Sequence, residues 1–153
     1  LDGVLPPACE KPGCSFRMAS NDRLFPLFRT TTAGLTAICD YIIFYPVDDQ
    51  DESRLFVFLC ELKSGDPRGA SKQAENSLLL AEYLVAMARH HGRLSQSLTL
   101  AYRGLIFSPR LAVPRIGNPR TDRCSYQPAN DALRGLQHAY CRDGEYPLAY
   151  FCA

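Results

Sequence analysis

Three ionisable residues lie in segments of the sequence that are otherwise apolar. Asp40 falls within the β-branched and aromatic segment 36–45, and Glu61 and Lys63 close the apolar segment 55–63. Because side chains alternate across a β-strand, Glu61 and Lys63 would point to the same face, about 7 Å apart. If the two segments form a hairpin that aligns Asp40 with the end of the second strand, the two carboxylates and the ammonium converge.

These three side chains suit one kind of chemistry. Two carboxylates with the backbone carbonyl of Leu62 between them form a set of oxygen ligands suited to Mg²⁺ or Mn²⁺. A lysine beside such a metal can orient or deprotonate a water, while the metal stabilises charge on a phosphate. The groups could therefore hydrolyse a phosphodiester. The alternative is a structural role, either as a buried ion pair between Glu61 and Lys63 or as charges at an exposed strand end.

The elements that would position these residues follow from apolar periodicity and turn residues. We expect a first strand within 24–32, strands at 36–45 and 55–63 around the acidic turn 46–52, a helix at 70–91, a strand at 98–107, a long loop at 109–130, a short helix at 131–140 and an apolar tail at 147–152. The two strands around the acidic turn predict an antiparallel hairpin. Gly92 is placed to end the long helix, which contains no internal proline or glycine.

The pattern resembles the PD-(D/E)XK nuclease superfamily in having Asp40 in one strand, Glu61-Leu62-Lys63 at the end of the next, and then a glycine-containing turn and a helix. The order strand, strand, strand, helix, strand over residues 24–107 is also similar to the core of that fold. The resemblance implies an α/β fold with a central mixed β-sheet of about four strands flanked by helices, a restriction-endonuclease-like core. This core would occupy 24–108 of a single domain, 1–153, followed by an Arg- and Pro-rich C-terminal extension at 109–153.

The resemblance also implies a role for each residue of the motif. Asp40 and Glu61 would bind Mg²⁺ or Mn²⁺ with the help of the Leu62 carbonyl, and Lys63 would position and activate the attacking water. Many members carry a Gln on the following helix, and Gln73 stands ten residues after Lys63 on the predicted helix. An exposed position with no part in the site is the alternative for Gln73.

The sequence departs from the family pattern in three places. Cys39 stands where the family name has a Pro, a change that is chemically harmless. Members often carry a Glu on a helix before the first strand, whereas only Glu10, Asn21 and Asp22 are available here. Ser77 occupies the position at which a subset of the family carries a Tyr. The second hypothesis is therefore a catalytically degenerate domain that binds nucleic acid or a protein partner without cleavage.

The net charge of +1 conceals an uneven distribution. Residues 1–85 carry eight Lys and Arg against twelve Asp and Glu, whereas residues 86–153 carry nine Arg, no Lys and four acids. Such asymmetry points weakly to a polyanionic partner. The residues that we expect to contact phosphates are Arg68, Lys72, Arg103 and Arg110. A solvated surface position is the alternative for each of them.

Composition narrows the class of protein. Apolar residues make up 46% and charged residues 22%, which is typical of a globular domain. No run approaches the ~20 apolar residues that a membrane-spanning helix needs. The chain begins without Met, so we expect a truncated N-terminus.

The cysteines indicate a reducing compartment. Seven cysteines cannot all pair with one another, and only Cys9 and Cys14 have the spacing of half a zinc site. Cys39 and Cys60 lie in apolar runs and are expected to be buried. We therefore expect reduced thiols in a cytoplasmic protein, or a nuclear one in a eukaryote. The expected partner is a nucleic acid, DNA rather than RNA, and a homodimer or a partner domain is left open.

Overall fold

The structure is a computed structural model that describes residues 14–17, 34, 37–48, 53–64, 70–109, 124–127, 136–142 and 144–153. The elements within these ranges are β1 (Cys14–Arg17), β2 (Tyr41–Asp48), β3 (Ser53–Leu62), α1 (Ala70–His90), β4 (Thr99–Phe107), β5 (Gln137–Cys141) and a 3-10 helix (Leu148–Phe151). The expected α/β class is confirmed. No helix in the described ranges combines the length and the apolar character that crossing a membrane requires.

β3 lies at the centre of a five-stranded sheet with the order β1-β2-β3-β4-β5. β1, β2 and β3 pair antiparallel, whereas β3, β4 and β5 pair parallel. The predicted hairpin is confirmed, with a register that runs from Tyr41 opposite Cys60 to Asp48 opposite Ser53. α1 connects β3 to β4, because parallel neighbours need a long crossover. The sheet is mixed, as expected, and has five described strands where about four were expected.

β3 is covered on both faces, and its residues from Leu55 to Glu61 are all buried. On one face its odd-numbered apolar residues share a hydrophobic cluster with Ala74, Leu78 and Ala81 of α1. On the other face its even-numbered residues share a cluster with Tyr150 and Phe151 of the 3-10 helix. This two-sided burial explains why the strand is a continuous apolar run rather than an alternating one.

α1 agrees with the predicted helix at both ends. It begins at Ala70 and ends at His90, and Gly92 follows with φ of 64°. Only glycine adopts this left-handed backbone without strain, so it allows the chain to leave the helix toward β4. The prediction that Gly92 ends the helix is therefore confirmed, and its positive φ is the physical cause.

The two cysteines expected in the core are buried there. Cys39 is 1% exposed and Cys60 is 5% exposed, and both are thiols. Burial raises the pKa of Cys39 to about 12, although the Ser77 hydroxyl acts in the opposite direction. These thiols therefore act as small apolar side chains and not as nucleophiles.

β2 continues through Pro46, which we expected in the turn after a strand ending at residue 45. Pro46 lies opposite Leu55. The backbone N–H groups of successive β3 residues point alternately toward β2 and away from it. The N–H of Leu62 points toward β2, so that of Leu55, an odd number of residues earlier, points away. The Leu55–Pro46 pair therefore exchanges no backbone hydrogen bonds. On the other side, the described part of β1 ends opposite Phe44. The missing N–H of Pro46 therefore removes no hydrogen bond from the described sheet.

The prediction of a short helix at 131–140 is wrong for the part of this range that the structure describes. Residues 137–141 form β5, which pairs in parallel with β4 from Arg103 opposite Gln137 to Phe107 opposite Cys141. Helix-forming residues predominate in this part of the sequence, but pairing with a neighbouring strand overrides local preference. The first strand expected within 24–32 and most of the loop expected at 109–130 lie outside the described residues.

We expect Phe58→Ala to lower the free energy of unfolding by about 3–5 kcal/mol, because Phe58 is fully buried at the centre of the sheet and the truncation leaves a cavity. Urea denaturation followed by circular dichroism measures this loss. Tyr83→Ala is the matched control, since Tyr83 is 60% exposed on α1 and should change stability by at most about 0.5 kcal/mol. Equal losses in the two variants would contradict the described core.

Candidate functional site

The three charged residues of the motif meet at the end of β3. Glu61 is the last buried residue of the strand, 2% exposed, on the face that α1 covers. The ammonium of Lys63 lies 2.7 Å from Oε1 of Glu61. Asp40 is exposed and precedes β2, whereas we expected it inside a strand that began at residue 36. Since Tyr41 pairs with Cys60, Asp40 is nevertheless adjacent to Glu61 across the hairpin, which is the alignment that convergence of the two carboxylates requires.

Asp40 is fixed by a backbone group of β3. Its Oδ2 accepts a hydrogen bond of 2.8 Å from the N–H of Leu62. β2 has no residue to pair with Leu62 because it begins at Tyr41, so the carboxylate satisfies this N–H in place of a strand. The N–H and C=O of one residue point to the same neighbouring strand in an antiparallel ladder, so the Leu62 carbonyl also faces the Asp40 side.

Gln73 joins the site from the first turns of α1. Its Oε1 accepts a hydrogen bond of 2.5 Å from Nζ of Lys63. Its Nε2 donates to the carbonyl of Ile38 at 3.3 Å. The structure thus places Gln73 beside the motif, where the resemblance expected it, and Lys63 is held between Gln73 and Glu61.

One oxygen of Glu61 has no hydrogen-bond partner among the residues that the structure describes. Oε2 is buried and accepts no hydrogen bond in the described structure. Burial raises the pKa of the Glu61 carboxyl above its ordinary value of 4.5, and the negative charge of Asp40 acts in the same direction. Lys63 and Gln73 oppose this rise in pKa without cancelling it. A buried carboxylate oxygen without a donor is costly for the fold unless a cation or a proton binds there.

Asp40 and Glu61 are the carboxylates of this site that could hold a divalent cation. Asp40 and Glu61 each use one oxygen for a contact within the protein, so Oδ1 of Asp40 and Oε2 of Glu61 receive no hydrogen bond from a described residue. The Leu62 carbonyl adds a third oxygen on the same side. Among the described residues, no group of three or more His, Cys, Asp or Glu side chains is placed to hold a metal. Water or substrate would have to complete the shell, as is common for Mg²⁺.

Two of the four expected phosphate contacts lie within the described residues, and neither is bonded to Asp40, Glu61 or Lys63 there. Lys72 is exposed in the first turn of α1, and its ammonium lies over the backbone of Gly34. Arg103 lies on the opposite face of the sheet, with its guanidinium 5.2 Å from the centre of the Tyr126 ring and an Nη2 hydrogen bond of 3.0 Å to the carbonyl of Ala153. The remaining two expected contacts, Arg68 and Arg110, lie outside the described residues.

Sequence reasoning missed two residues next to the site, Asn76 and Ser77. Both project from α1 toward the chain that leads into Asp40. Ser77 shares a helix face with Gln73 and replaces a Tyr of the family pattern, but no role in the site was predicted for it from the sequence. The available signal was the polar spacing itself, since positions 73, 76 and 77 lie on neighbouring parts of one helix surface.

The comparisons with known proteins do not identify a family. No family model, no curated protein and no solved structure matches the chain.

We expect Glu61→Gln to stabilise the metal-free protein near neutral pH. The pKa of Glu61 is higher in the folded than in the unfolded protein. At a pH between these two pKa values, the folded protein therefore binds more protons than the unfolded one. The free energy of unfolding falls as pH rises through this window. Glutamine keeps the shape, carries no charge and can still accept a hydrogen bond from Lys63. The unfolding temperature of the variant minus that of the parent, measured in EDTA, should therefore increase as pH rises above 4.5.

Glu145→Gln is the matched control, because Glu145 is an exposed carboxylate remote in sequence from the motif. If the difference in unfolding temperature from the parent grows equally with pH in both variants, burial of Glu61 is not the cause of the pH dependence. A gain for Glu61→Gln that is largest at acid pH would contradict the direction of the shift.

Proposed function

We propose that the chain is a metal-dependent nuclease of the PD-(D/E)XK type that hydrolyses phosphodiester bonds, with DNA as the preferred substrate. The observation that carries the proposal is the buried Glu61 carboxylate, whose Oε2 has no hydrogen-bond partner in the described structure. Asp40 and Lys63 flank this carboxylate in the order that the family motif requires.

The metal ligands would be Asp40, Glu61 and the carbonyl of Leu62. A divalent cation bound there supplies charge stabilisation at the phosphate and makes a water more acidic. The chain's own part is to present two carboxylate oxygens whose sister oxygens are already held by the N–H of Leu62 and by Lys63. This anchoring keeps both ligands in place before substrate arrives.

Lys63 has a donor to spare for the reaction. Its ammonium has three N–H groups, of which Glu61 and Gln73 accept two. The side chain is 20% exposed, so the third N–H can reach a water or a phosphate oxygen at the open side of the site. Gln73 and Glu61 together restrict the ammonium to this direction, which is the positioning role that the resemblance assigns to Lys63.

A second candidate function is binding without cleavage. It is favoured by the small number of acidic ligands, because no third His, Cys, Asp or Glu joins the two carboxylates among the described residues. A degenerate domain of this kind would bind nucleic acid with an affinity that falls as salt is added. It would show no cleavage with any divalent metal.

We expect the parent protein to cleave DNA in Mg²⁺ or Mn²⁺ and Lys63→Ala to lose about 10²–10³-fold in rate, the usual contribution of one positioned donor at developing charge. The measurement is loss of a supercoiled plasmid and of a labelled linear duplex, with EDTA as the blank. Arg93→Ala is the matched control, because Arg93 is an exposed cation beyond the opposite end of α1 and should leave the rate unchanged.

Equal rates for Lys63→Ala and the parent would contradict the proposal. Salt-sensitive binding of the same duplex, measured by fluorescence anisotropy, without cleavage in either metal would favour the degenerate domain. The parallel assay with single-stranded RNA decides the substrate class.

A further inference from the structure

Three polar residues of α1 hold the chain that leads into Asp40. We call Gln73, Asn76 and Ser77 the polar clasp. The hydroxyl of Ser77 accepts a hydrogen bond of 2.7 Å from the N–H of Cys39. The side chains of Asn76 and Gln73 donate to carbonyls of the same segment, 37–39, at 2.8 Å and 3.3 Å. Each residue of the segment is therefore tied to the helix by one of its backbone groups.

The sheet does not supply these bonds. The first residue of β2 is Tyr41, and the segment 37–39 has no strand partner among the described residues. Its backbone groups would need other partners, because Cys39 is buried at 1% exposure and Ser77 at 0%. The Asn76 side chain also donates a hydrogen bond of 2.7 Å to the carbonyl of Gly34, three residues before Ala37.

The clasp connects both sides of the motif to one part of the helix. Gln73 bonds Ile38 with one end of its amide and Lys63 with the other. Ser77 lies one helical turn later and bonds the residue immediately before Asp40. A helical turn is rigid, so the direction of Asp40 and the direction of Lys63 are fixed relative to each other through α1.

We infer that Asn76 and Ser77 are positioning residues for the carboxylate of Asp40. They fix the segment 37–39 so that Oδ2 of Asp40 accepts the hydrogen bond from the N–H of Leu62. The inference rests on the proposed function in one respect, that Asp40 is a metal ligand. The hydrogen bonds by which Asn76 and Ser77 position the Asp40 side chain do not depend on a metal.

The experiment compares Ser77→Ala with Val85→Ala. Val85 is 4% exposed on the core side of α1, two turns beyond Ser77, so its truncation weakens the helix without touching the clasp. Two measurements are made on each protein: exchange of the Leu62 amide hydrogen by NMR without metal, and the affinity for Mn²⁺ by calorimetry. The exchange rate of Leu62 reports on its hydrogen bond to Asp40. The Mn²⁺ affinity reports on Asp40 as a metal ligand.

For Ser77→Ala we expect faster Leu62 exchange and weaker Mn²⁺ binding, each by about tenfold, the scale of one lost hydrogen bond. Val85→Ala should match the parent in both measurements at a temperature where all proteins are folded. Asn76→Ala, at a half-buried position, is the second variant if Ser77→Ala does not fold, and the same changes are expected for it.

The failures are distinguishable. If Ser77→Ala and Val85→Ala give the same Leu62 exchange and the same Mn²⁺ affinity, the clasp serves only the fold and the inference is overturned. If exchange rises while Mn²⁺ affinity is unchanged, the clasp does not position a metal ligand, which also overturns it. If the parent binds no Mn²⁺ but exchange rises in Ser77→Ala, the hold on Asp40 is supported and the metal site of the proposed function is rejected.

Discussion

The buried carboxylate of Glu61 is the constraint on which the rest of the site depends. A charge at 2% exposure is tolerated because Lys63 follows it on the same face and contacts Oε1. Its second oxygen remains without a donor in the described structure, and burial raises the pKa of the carboxyl. An apolar residue at the end of β3 would be less costly for the fold.

The architecture explains how this charge comes to lie where other groups can reach it. β3 is central, so both of its faces are covered up to the last residue, and the site begins where that cover ends. β2 runs antiparallel to β3, which brings the chain before Tyr41 to the carboxyl end of β3. β4 runs parallel to β3, so α1 must return across the sheet and presents its first turns to the same edge. Ligands of open α/β sheets commonly bind at this edge.

Local patterns in the sequence were sufficient to predict the parts of the site that depend on one element. Glu61 and Lys63 share a face because strand side chains alternate, and Gln73 lies on α1 because the helix has clear composition and a glycine stop. The hairpin was predicted, but its register was left open, so the alignment of Asp40 with Glu61 came only from the structure.

The rest depends on contacts between distant residues. Ser77 and Cys39 are 38 positions apart, and no local pattern indicates that they share a hydrogen bond. β5 has a helix-like composition and becomes a strand only through its pairing with β4. Arg103 projects to the face away from Glu61, where its guanidinium covers an aromatic ring, and this could not be known before the register of β4 was fixed.

The most direct test of the central claim is the position of a metal ion in the protein. Crystals grown without metal are soaked in Mn²⁺, and an anomalous difference map is calculated at a wavelength where manganese scatters anomalously. We expect one peak in bonding distance of a carboxylate oxygen of Asp40 and of Oε2 of Glu61, with Lys63 still bonded to Oε1. An empty map at this site, while Glu61 and Lys63 keep their ion pair and Asp40 keeps its bond to Leu62, would contradict the claim that the unpaired oxygen exists to bind a cation.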